Sequence, residues 1–158
     1  MKEPTTEEEI AALQEILRSN PQRYLQITNS WIGKDPTSAT AYFDRHFAWM
    51  HLDEPKRALD DLSKSIELEP SSISFWSRGD VHRHLGEYQL AMDDYRRAEA
   101  IDPAKWERDA VPPLYQADVH ARLGDEAAAL ACCARLPDHF WTPGHNDLPP
   151  GGQGRDRG

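Results

Sequence analysis

Residues 75–103 read FWSRGDVHRHLGEYQLAMDDYRRAEAIDP, and residues 42–70, which lie 33 positions earlier, read YFDRHFAWMHLDEPKRALDDLSKSIELEP. The two stretches are identical at Arg45/Arg78, His51/His84, Leu52/Leu85, Glu54/Glu87, Ala58/Ala91, Asp60/Asp93, Asp61/Asp94 and Pro70/Pro103. Self-similarity at a period of about 20–50 residues is the signature of a repeat architecture. The chain is therefore predicted to consist of several copies of one structural unit.

A third and more divergent copy follows the second. The tripeptide DVH at residues 80–82 recurs 38 positions later at residues 118–120, after a five-residue insertion near Trp106. Within the second copy, apolar and small residues recur every three or four positions, as on one face of a helix, both before and after Gly86. No stretch alternates with period two over the length of a strand. We therefore expect an all-α fold in which each unit is a pair of antiparallel helices.

The segment ahead of the repeats is also predicted to form two helices. A capping box at Thr5/Glu8 or at Thr6/Glu9 can begin the first helix, and Asn20-Pro21 can begin the second. We interpret residues 1–36 as a diverged or capping helical pair, residues 37–136 as three repeat units, and residues 137–158 as a C-terminal tail.

The tail itself divides into two parts by composition. Its Pro/Gly-rich end, from residue 148 onward, is predicted to be disordered. Phe140-Trp141 carries more apolar area than a free segment leaves in water, so residues 138–148 are expected to dock on the third unit or against the binding face.

Composition and charge exclude several classes of protein. The 158 residues carry a formal net charge of −9, which disfavours binding to phosphate backbones. No apolar run approaches the roughly 18–20 residues that a membrane span requires, and the acidic start does not resemble a secretory signal. The two cysteines, Cys132 and Cys133, are adjacent and give no disulfide framework. These features predict a soluble cytoplasmic protein with neither a nucleic-acid nor a membrane partner; its oligomeric state stays open.

The units resemble tetratricopeptide repeats, whose pattern is W-x-x-L-G-x-x-Y, then A-x-x-x-F, then P, over about 34 residues. The second copy matches this pattern with Phe75-x-x-Arg78-Gly79-x-x-His82, Ala91-x-x-x-Tyr95 and Pro103. The resemblance covers residues 40–136 and implies a right-handed superhelical stack of antiparallel helix hairpins, that is, an α-solenoid.

The resemblance also implies a binding surface. In this family the first helices of successive units line a concave groove, on whose wall or edge it places Phe43, Phe47, Met50, His51, Trp76, Asp80, Arg83, His84, Leu114, Asp118, Ala121 and Arg122. Family members that clamp a C-terminal carboxylate use lysine, asparagine and arginine there. The aromatic and acidic residues of this chain therefore argue against a carboxylate clamp.

We interpret the protein as a non-enzymatic module that holds a peptide or helix of a partner protein against an aromatic floor, with charged residues setting the polar register. A small dedicated inhibitor, immunity-type protein or chaperone that neutralises one partner is the alternative. A metal- or thiol-dependent enzyme is a remote third reading. His82 and His84 point about 200° apart on a helix and cannot share an ion, and Cys133 falls on a core position of the repeat, so no cofactor or metal is expected.

Differences between the copies predict structural ion pairs. Copies one and two combine Arg45 with Asp61 and Arg78 with Asp94. In copy three Gln116 replaces the arginine and Ala131-Cys132 replaces the aspartates. Joint presence and joint loss suggest contact, because an arginine among packed helices needs a carboxylate to offset its desolvation. An outward-facing, solvated role for the aspartates is the alternative.

Overall fold

The computed structural model describes residues 6–104 and 111–136. All regular structure in these ranges is helical, as the repeat pattern predicts. The helices are α1 (Glu7–Ser19), α2 (Pro21–Lys34), α3 (Ala39–His51), α4 (Pro55–Leu68), α5 (Ser72–His84), α6 (Tyr88–Ile101), α7 (Val111–Arg122) and α8 (Glu126–Cys133). No helix among the described residues has both the length and the apolar character needed to cross a membrane.

The chain divides into two compact units, Met1–Pro103 and Ala104–Gly158. In the first unit, α1–α2, α3–α4 and α5–α6 form three hairpins, and each hairpin packs on the next through the pairs α2/α3 and α4/α5. Helix α1 also contacts α3, so the first helices of neighbouring hairpins lie side by side. The second unit contains the hairpin α7–α8. The predicted tail, residues 137–158, lies outside the described residues.

Side-chain caps fix where the helices begin. Of the two possible capping boxes, the one at Thr6 and Glu9 forms: the Glu9 N–H donates to Thr6 Oγ1 at 3.2 Å, and the Thr6 N–H donates to the Glu9 carboxylate at 3.1 Å. The Asn20 side chain caps α2 as predicted, and Ser38 and Ser71 cap α3 and α5. Each cap satisfies an amide of the first helical turn that has no partner within the helix.

Each repeated hairpin turns through one residue with a left-handed backbone. Gly86 and Gly124 have φ values of 77° and 78°, and the equivalent residue of the first repeat, Asp53, has φ 58°. Glycine adopts this conformation without the Cβ repulsion that aspartate experiences. The reversal of the chain therefore imposes the same geometry on all three copies, although only two of them have glycine.

The core lies between the two helices of each hairpin and between neighbouring hairpins. One cluster comprises Leu13, Tyr24, Leu25, Ile27, Trp31, Ala41 and Ala48, and another comprises Ala58, Leu62 and Val81. In the third hairpin, Gly79 faces the fully buried ring of Tyr95 so closely that a Cβ on Gly79 would lie 2.7 Å from Tyr95 Cε1. The second hairpin has His46 and the smaller Leu62 at these two positions.

Arginine–aspartate pairs join the helices of the second and third hairpins. Arg45 donates two hydrogen bonds to Asp61, at 2.8 and 2.6 Å, and Arg78 donates two to Asp94, at 2.7 and 2.8 Å. Both aspartates are buried. The remaining guanidinium nitrogen of each arginine reaches back to the preceding hairpin, to Asn29 on α2 at 2.8 Å and to Ser63 on α4 at 3.2 Å. These pairs therefore link successive hairpins as well as the two helices of one.

In the fourth hairpin, Gln116 takes the place of the arginine and makes different contacts. Gln116 is buried on α7, and its Oε1 accepts a hydrogen bond from Arg135 at 3.2 Å. The thiol of Cys132 lies 4.0 Å from the same oxygen. Cys132 is thus the buried cysteine, and Cys133, which was predicted to occupy the core, is only half-buried. The reason is helical geometry: Cys132 faces Gln116, and the next residue lies about 100° further round the helix.

Candidate functional site

Two cavities lie on either side of α3, among the first helices of the first three hairpins. The cavity between α1 and α3 has a volume of about 410 Å³ and is lined by Ile10, Leu13, Gln14, Leu17, Tyr24, Thr40, Asp44 and Phe47. The cavity between α3 and α5 has a volume of about 240 Å³ and is lined by Ala39, Thr40, Phe43, Ser65, Glu69, Ser71, Ile73 and Ser74. Thr40 borders both, so the two cavities adjoin across α3. We call the surface that α1, α3 and α5 form here the first-helix face.

Two phenylalanine rings on α3 stand at these cavities, one in each. The rings of Phe43 and Phe47 meet edge to face, with centroids 5.5 Å apart and planes at 89°. This geometry is favourable for aromatic pairs. Both side chains are half-buried, so each ring also keeps surface that a ligand can contact.

The His46 ring packs against both phenylalanine rings. Its imidazole is buried and lies 3.9 Å from the Phe47 ring centroid and 4.9 Å from that of Phe43. Burial lowers the pKa of His46 to about 4, so the ring is neutral at physiological pH. Its Nδ1 contacts the Phe43 carbonyl oxygen. Because a carbonyl only accepts, Nδ1 carries the proton in this tautomer.

One acidic side chain, that of Asp44, lines the α1–α3 cavity. Asp44 is half-buried on α3 and lies near the buried phenol of Tyr24 on α2. The pKa of Tyr24 is raised, first by burial and then by the negative charge of Asp44.

The structure gives most of the predicted groove residues partly accessible side chains. Those of Phe43, Phe47, Met50, Trp76, Asp80 and Arg83 are half-buried, and those of His51 and His84 are exposed. Phe43 and Met50 also pack against the core cluster of Ala58, Leu62 and Val81, so they contribute to the core as well. In the second unit Leu114 and Arg122 are exposed and Asp118 is half-buried, and these residues belong to the surface of that unit.

The charged residues predicted to set the polar register pair with one another. Arg83 donates to Asp80 at 2.7 Å, one turn away on α5, and Arg122 donates to Asp118 at 2.9 Å on α7. A partner that uses these groups must therefore compete with an existing ion pair on the same helix.

Sequence reasoning missed the part of the face that α1 provides. One wall of the larger cavity consists of Ile10, Leu13, Gln14 and Leu17. These residues were missed because their segment carries no repeat pattern. Ile73 was also missed, but a signal for it existed: it lies 33 positions after Thr40, and both residues line the smaller cavity.

His82, which was considered as a metal ligand, and His120 each have an acidic partner in their own hairpin. His82 Nδ1 lies 2.6 Å from Glu87 Oε2, and His120 Nδ1 lies 3.7 Å from Asp125 Oδ2, each across the turn of its own hairpin. Within residues 6–104 and 111–136, no group of three or more histidine, cysteine, aspartate or glutamate residues is arranged to hold a metal ion. These histidines thus bridge the two helices of a hairpin.

The fold and the cavities define a class of protein: a stack of antiparallel helix hairpins with an accessible face on its first helices. Residues 74–105 match the model of the tetratricopeptide repeat. Sperm-associated antigen 1 of Rattus norvegicus is 34% identical over 67 residues, and Hsp70-Hsp90 organizing protein 2 of Arabidopsis thaliana is 32% identical over 96 residues. The matches cover 42% and 60% of this chain but only 8% and 17% of those relatives.

Solved structures share the fold at lower identity. MamA 41-end from Desulfovibrio magneticus RS-1 aligns with a TM-score of 0.69 at 18% identity, covering 79% of this chain and 70% of that one. YrrB, described as a TPR protein with an unusual peptide-binding site, aligns with a TM-score of 0.66 at 22% identity, covering 78% and 62%. The predicted resemblance to tetratricopeptide repeats and the predicted all-α solenoid fold are both confirmed.

The matched repeat indicates a general function. Tetratricopeptide-repeat proteins are generally non-enzymatic scaffolds, and the matched repeat indicates protein–protein interaction as the general role of this chain.

Proposed function

We propose that the first-helix face binds an apolar segment, a peptide or a helix, of another protein. The observation that carries the proposal is the pair of adjoining cavities across α3, with one ring of the Phe43–Phe47 pair in each. Two neighbouring recesses suit a segment that presents two apolar side chains in succession. We expect the predicted groove residues Trp76, Asp80 and Arg83 to extend this face along α5.

The dimensions and the chemistry of the two cavities suit the binding of apolar side chains. A volume of about 410 Å³ falls within the range of about 300–1,000 Å³ that is typical of ligand pockets. The rings of Phe43 and Phe47 are held by each other and by His46, so little side-chain entropy is lost when a ligand covers them. Binding energy is expected to concentrate on such preorganised aromatic residues.

The chemistry of the face also argues against one type of ligand. A clamp for a C-terminal carboxylate needs cationic side chains that point at the anion. The cavities next to Phe43 and Phe47 are lined by Asp44 and Glu69 as their charged residues. We therefore expect an internal apolar segment, not a free carboxylate, to be the feature that is recognised.

The proposal is tested by site-specific photo-crosslinking. A benzophenone amino acid replaces Phe47 in one variant and Trp76 in a second, and the variants are irradiated in cells of the native source. The matched control carries the same group at Leu90, an apolar side chain on α6 that is 50% exposed. We expect one shared crosslinked protein from Phe47 and Trp76 that the Leu90 variant does not capture.

Direct binding then identifies the face. The purified crosslinked protein is titrated against wild type, Phe47→Ala, Trp76→Ala and Leu90→Ala. Loss of an anchor should cost about 2 kcal/mol or more, which is a weakening of roughly thirtyfold, whereas Leu90→Ala should bind like wild type. Equal affinity of all four proteins, or capture by the Leu90 variant alone, would show that the first-helix face is not the binding surface.

A further inference from the structure

Helix α8 of the fourth hairpin presents an apolar surface to solvent. Residues 127–134 read AAALACCA and include no charged residue. The side chains of Ala127, Leu130, Ala131 and Ala134 are exposed. Leu130 is 63% exposed, which is more than any other large apolar side chain among the described residues. Positions three and four apart lie on the same side of a helix, so these four side chains form one surface, which we call the α8 face.

The equivalent position in the earlier repeats belongs to the core. Leu130 corresponds to Met92 on α6, 38 positions earlier, and to Leu59 on α4, a further 33 positions earlier. Met92 is 2% exposed, and Leu59 packs against the core cluster that includes Val81 of α5. In the part of the chain that the structure describes, no helix follows α8 to bury Leu130 in this way.

The neighbouring positions on α8 lack the charges that the earlier repeats carry there. Ala131 and Ala134 correspond to Asp93 and Arg96 on α6, and both of these charged residues are exposed. A repeat whose outer face stays in water carries polar residues on that face. The α8 face has none, and this composition is typical of a surface that another segment covers.

We propose that residues 138–148 of the same chain cover the α8 face, with Phe140 and Trp141 packed on Leu130. Leu136 is 5% exposed, so the chain is held against the fourth hairpin as far as that residue. The four residues from there to Phe140 can span about 13 Å, and the eight residues of α8 form a helix about 12 Å long. Both aromatic side chains can therefore reach Leu130, and each can bury about 150–250 Å².

The α8 face also favours one of the two docking sites that the sequence left open for this segment. The face belongs to the third repeat unit, lies directly before the segment in the chain, and offers apolar surface without charge. The segment then does for α8 what the next hairpin does for α4. The inference is independent of the proposed function, because it concerns a different surface.

Photo-crosslinking in the whole chain tests where the segment lies. A benzophenone amino acid replaces Phe140 in one variant and Trp141 in a second, and the matched control carries it at Arg155. Each variant is irradiated as an equimolar mixture of unlabelled and isotopically labelled chains, so that crosslinks within one chain differ in mass from crosslinks between two. We expect crosslinks within one chain from positions 140 and 141 to residues 127–134, and none to this range from position 155.

Hydrogen exchange of the α8 amides provides a second readout. Replacing Phe140 and Trp141 by alanine should speed this exchange roughly tenfold or more, because a covered helix opens less often. Leu130→Asp should have the same effect, and adding it to the alanine variant should speed the exchange little further. Leu90→Asp is the matched control, because Leu90 is 50% exposed on α6 and should leave the exchange of α8 unchanged.

Three results would overturn the inference. Crosslinks between labelled and unlabelled chains would assign the α8 face to a second copy of the protein. Crosslinks from positions 140 and 141 that avoid residues 127–134 would place the segment elsewhere. Equal exchange of the α8 amides in wild type and in all variants would show that the segment does not cover this helix.

Discussion

Removing either partner of the Arg78–Asp94 pair should destabilise the protein strongly. The Asp94 side chain is 5% exposed and that of Arg78 is 17% exposed, and two hydrogen bonds join them. Loss of one partner of a buried pair costs about 3–5 kcal/mol, because the other charge stays buried without compensation. Arg78 keeps some solvent contact and its bond to Ser63, so we expect about 3 kcal/mol for Arg78→Leu and for Asp94→Leu.

The double variant decides whether the pair acts as a unit. Two leucines fill the same site with apolar volume, so the double variant should be more stable than the sum of the single losses predicts, by about 2 kcal/mol. Urea unfolding, followed by tryptophan fluorescence and circular dichroism, measures all four proteins of the cycle.

An exposed pair on the same helix provides the control. Arg96 and Asp93 lie 3.7 Å apart with side chains 62% and 50% exposed, and their replacement should change the free energy of unfolding by less than about 0.5 kcal/mol. Strict additivity in the Arg78–Asp94 cycle, or single losses no larger than those of the exposed pair, would refute the reasoning.

Three further predictions concern backbone, packing and pH. Gly79→Ala should lower the free energy of unfolding by about 2 kcal/mol, because the new Cβ would lie 2.7 Å from a ring carbon of Tyr95. Adding Tyr95→Leu to this variant should recover part of the loss. Equal denaturation midpoints for Gly79→Ala and wild type would contradict this prediction. Asp53→Gly should stabilise by about 0.5–1 kcal/mol and Gly86→Ala should destabilise by about 1 kcal/mol, since both positions have positive φ; thermal unfolding checks the two signs. His46 is neutral in the folded protein, because its pKa is lowered from an ordinary 6.5 to about 4. Acidification from about pH 6.5 to about pH 4 should therefore lower the free energy of unfolding by up to about 3 kcal/mol. The pH dependence of the free energy of unfolding should be shallower in His46→Gln, and an unchanged slope would refute the assignment.

The sequence was sufficient to predict those features that one helix or one hairpin determines by itself. The periodicity of residues 75–103 predicted two helices around Gly86, and the joint loss of arginine and aspartate in the third copy pointed to Arg78 and Asp94. Both inferences depend only on the spacing of residues within the repeat, and this spacing can be read directly from the sequence.

Features that depend on the distance between hairpins could not be predicted. The α1–α3 cavity is formed by side chains that lie more than 20 positions apart and share no repeat register, such as Leu17 and Asp44. The partial burial of Phe43 and Met50 depends on how closely α3 approaches α4 and α5. Periodicity assigns a residue to a face of its helix, but the separation of neighbouring helices decides whether that face is open.

The contacts that Arg45 and Arg78 make with the preceding hairpin have a consequence for how such a chain can grow. Their acceptors, Asn29 and Ser63, are both uncharged, although they differ in size and chemistry. The aspartate of the same hairpin already neutralises this arginine. The arginine therefore does not require a particular charge in the preceding hairpin. A tandem duplication of residues 39–71 would place the new arginine beside Ser63 of the original hairpin and would offer a second Ser63 to Arg78. Internal duplication would therefore add no unbalanced charge at this arginine contact.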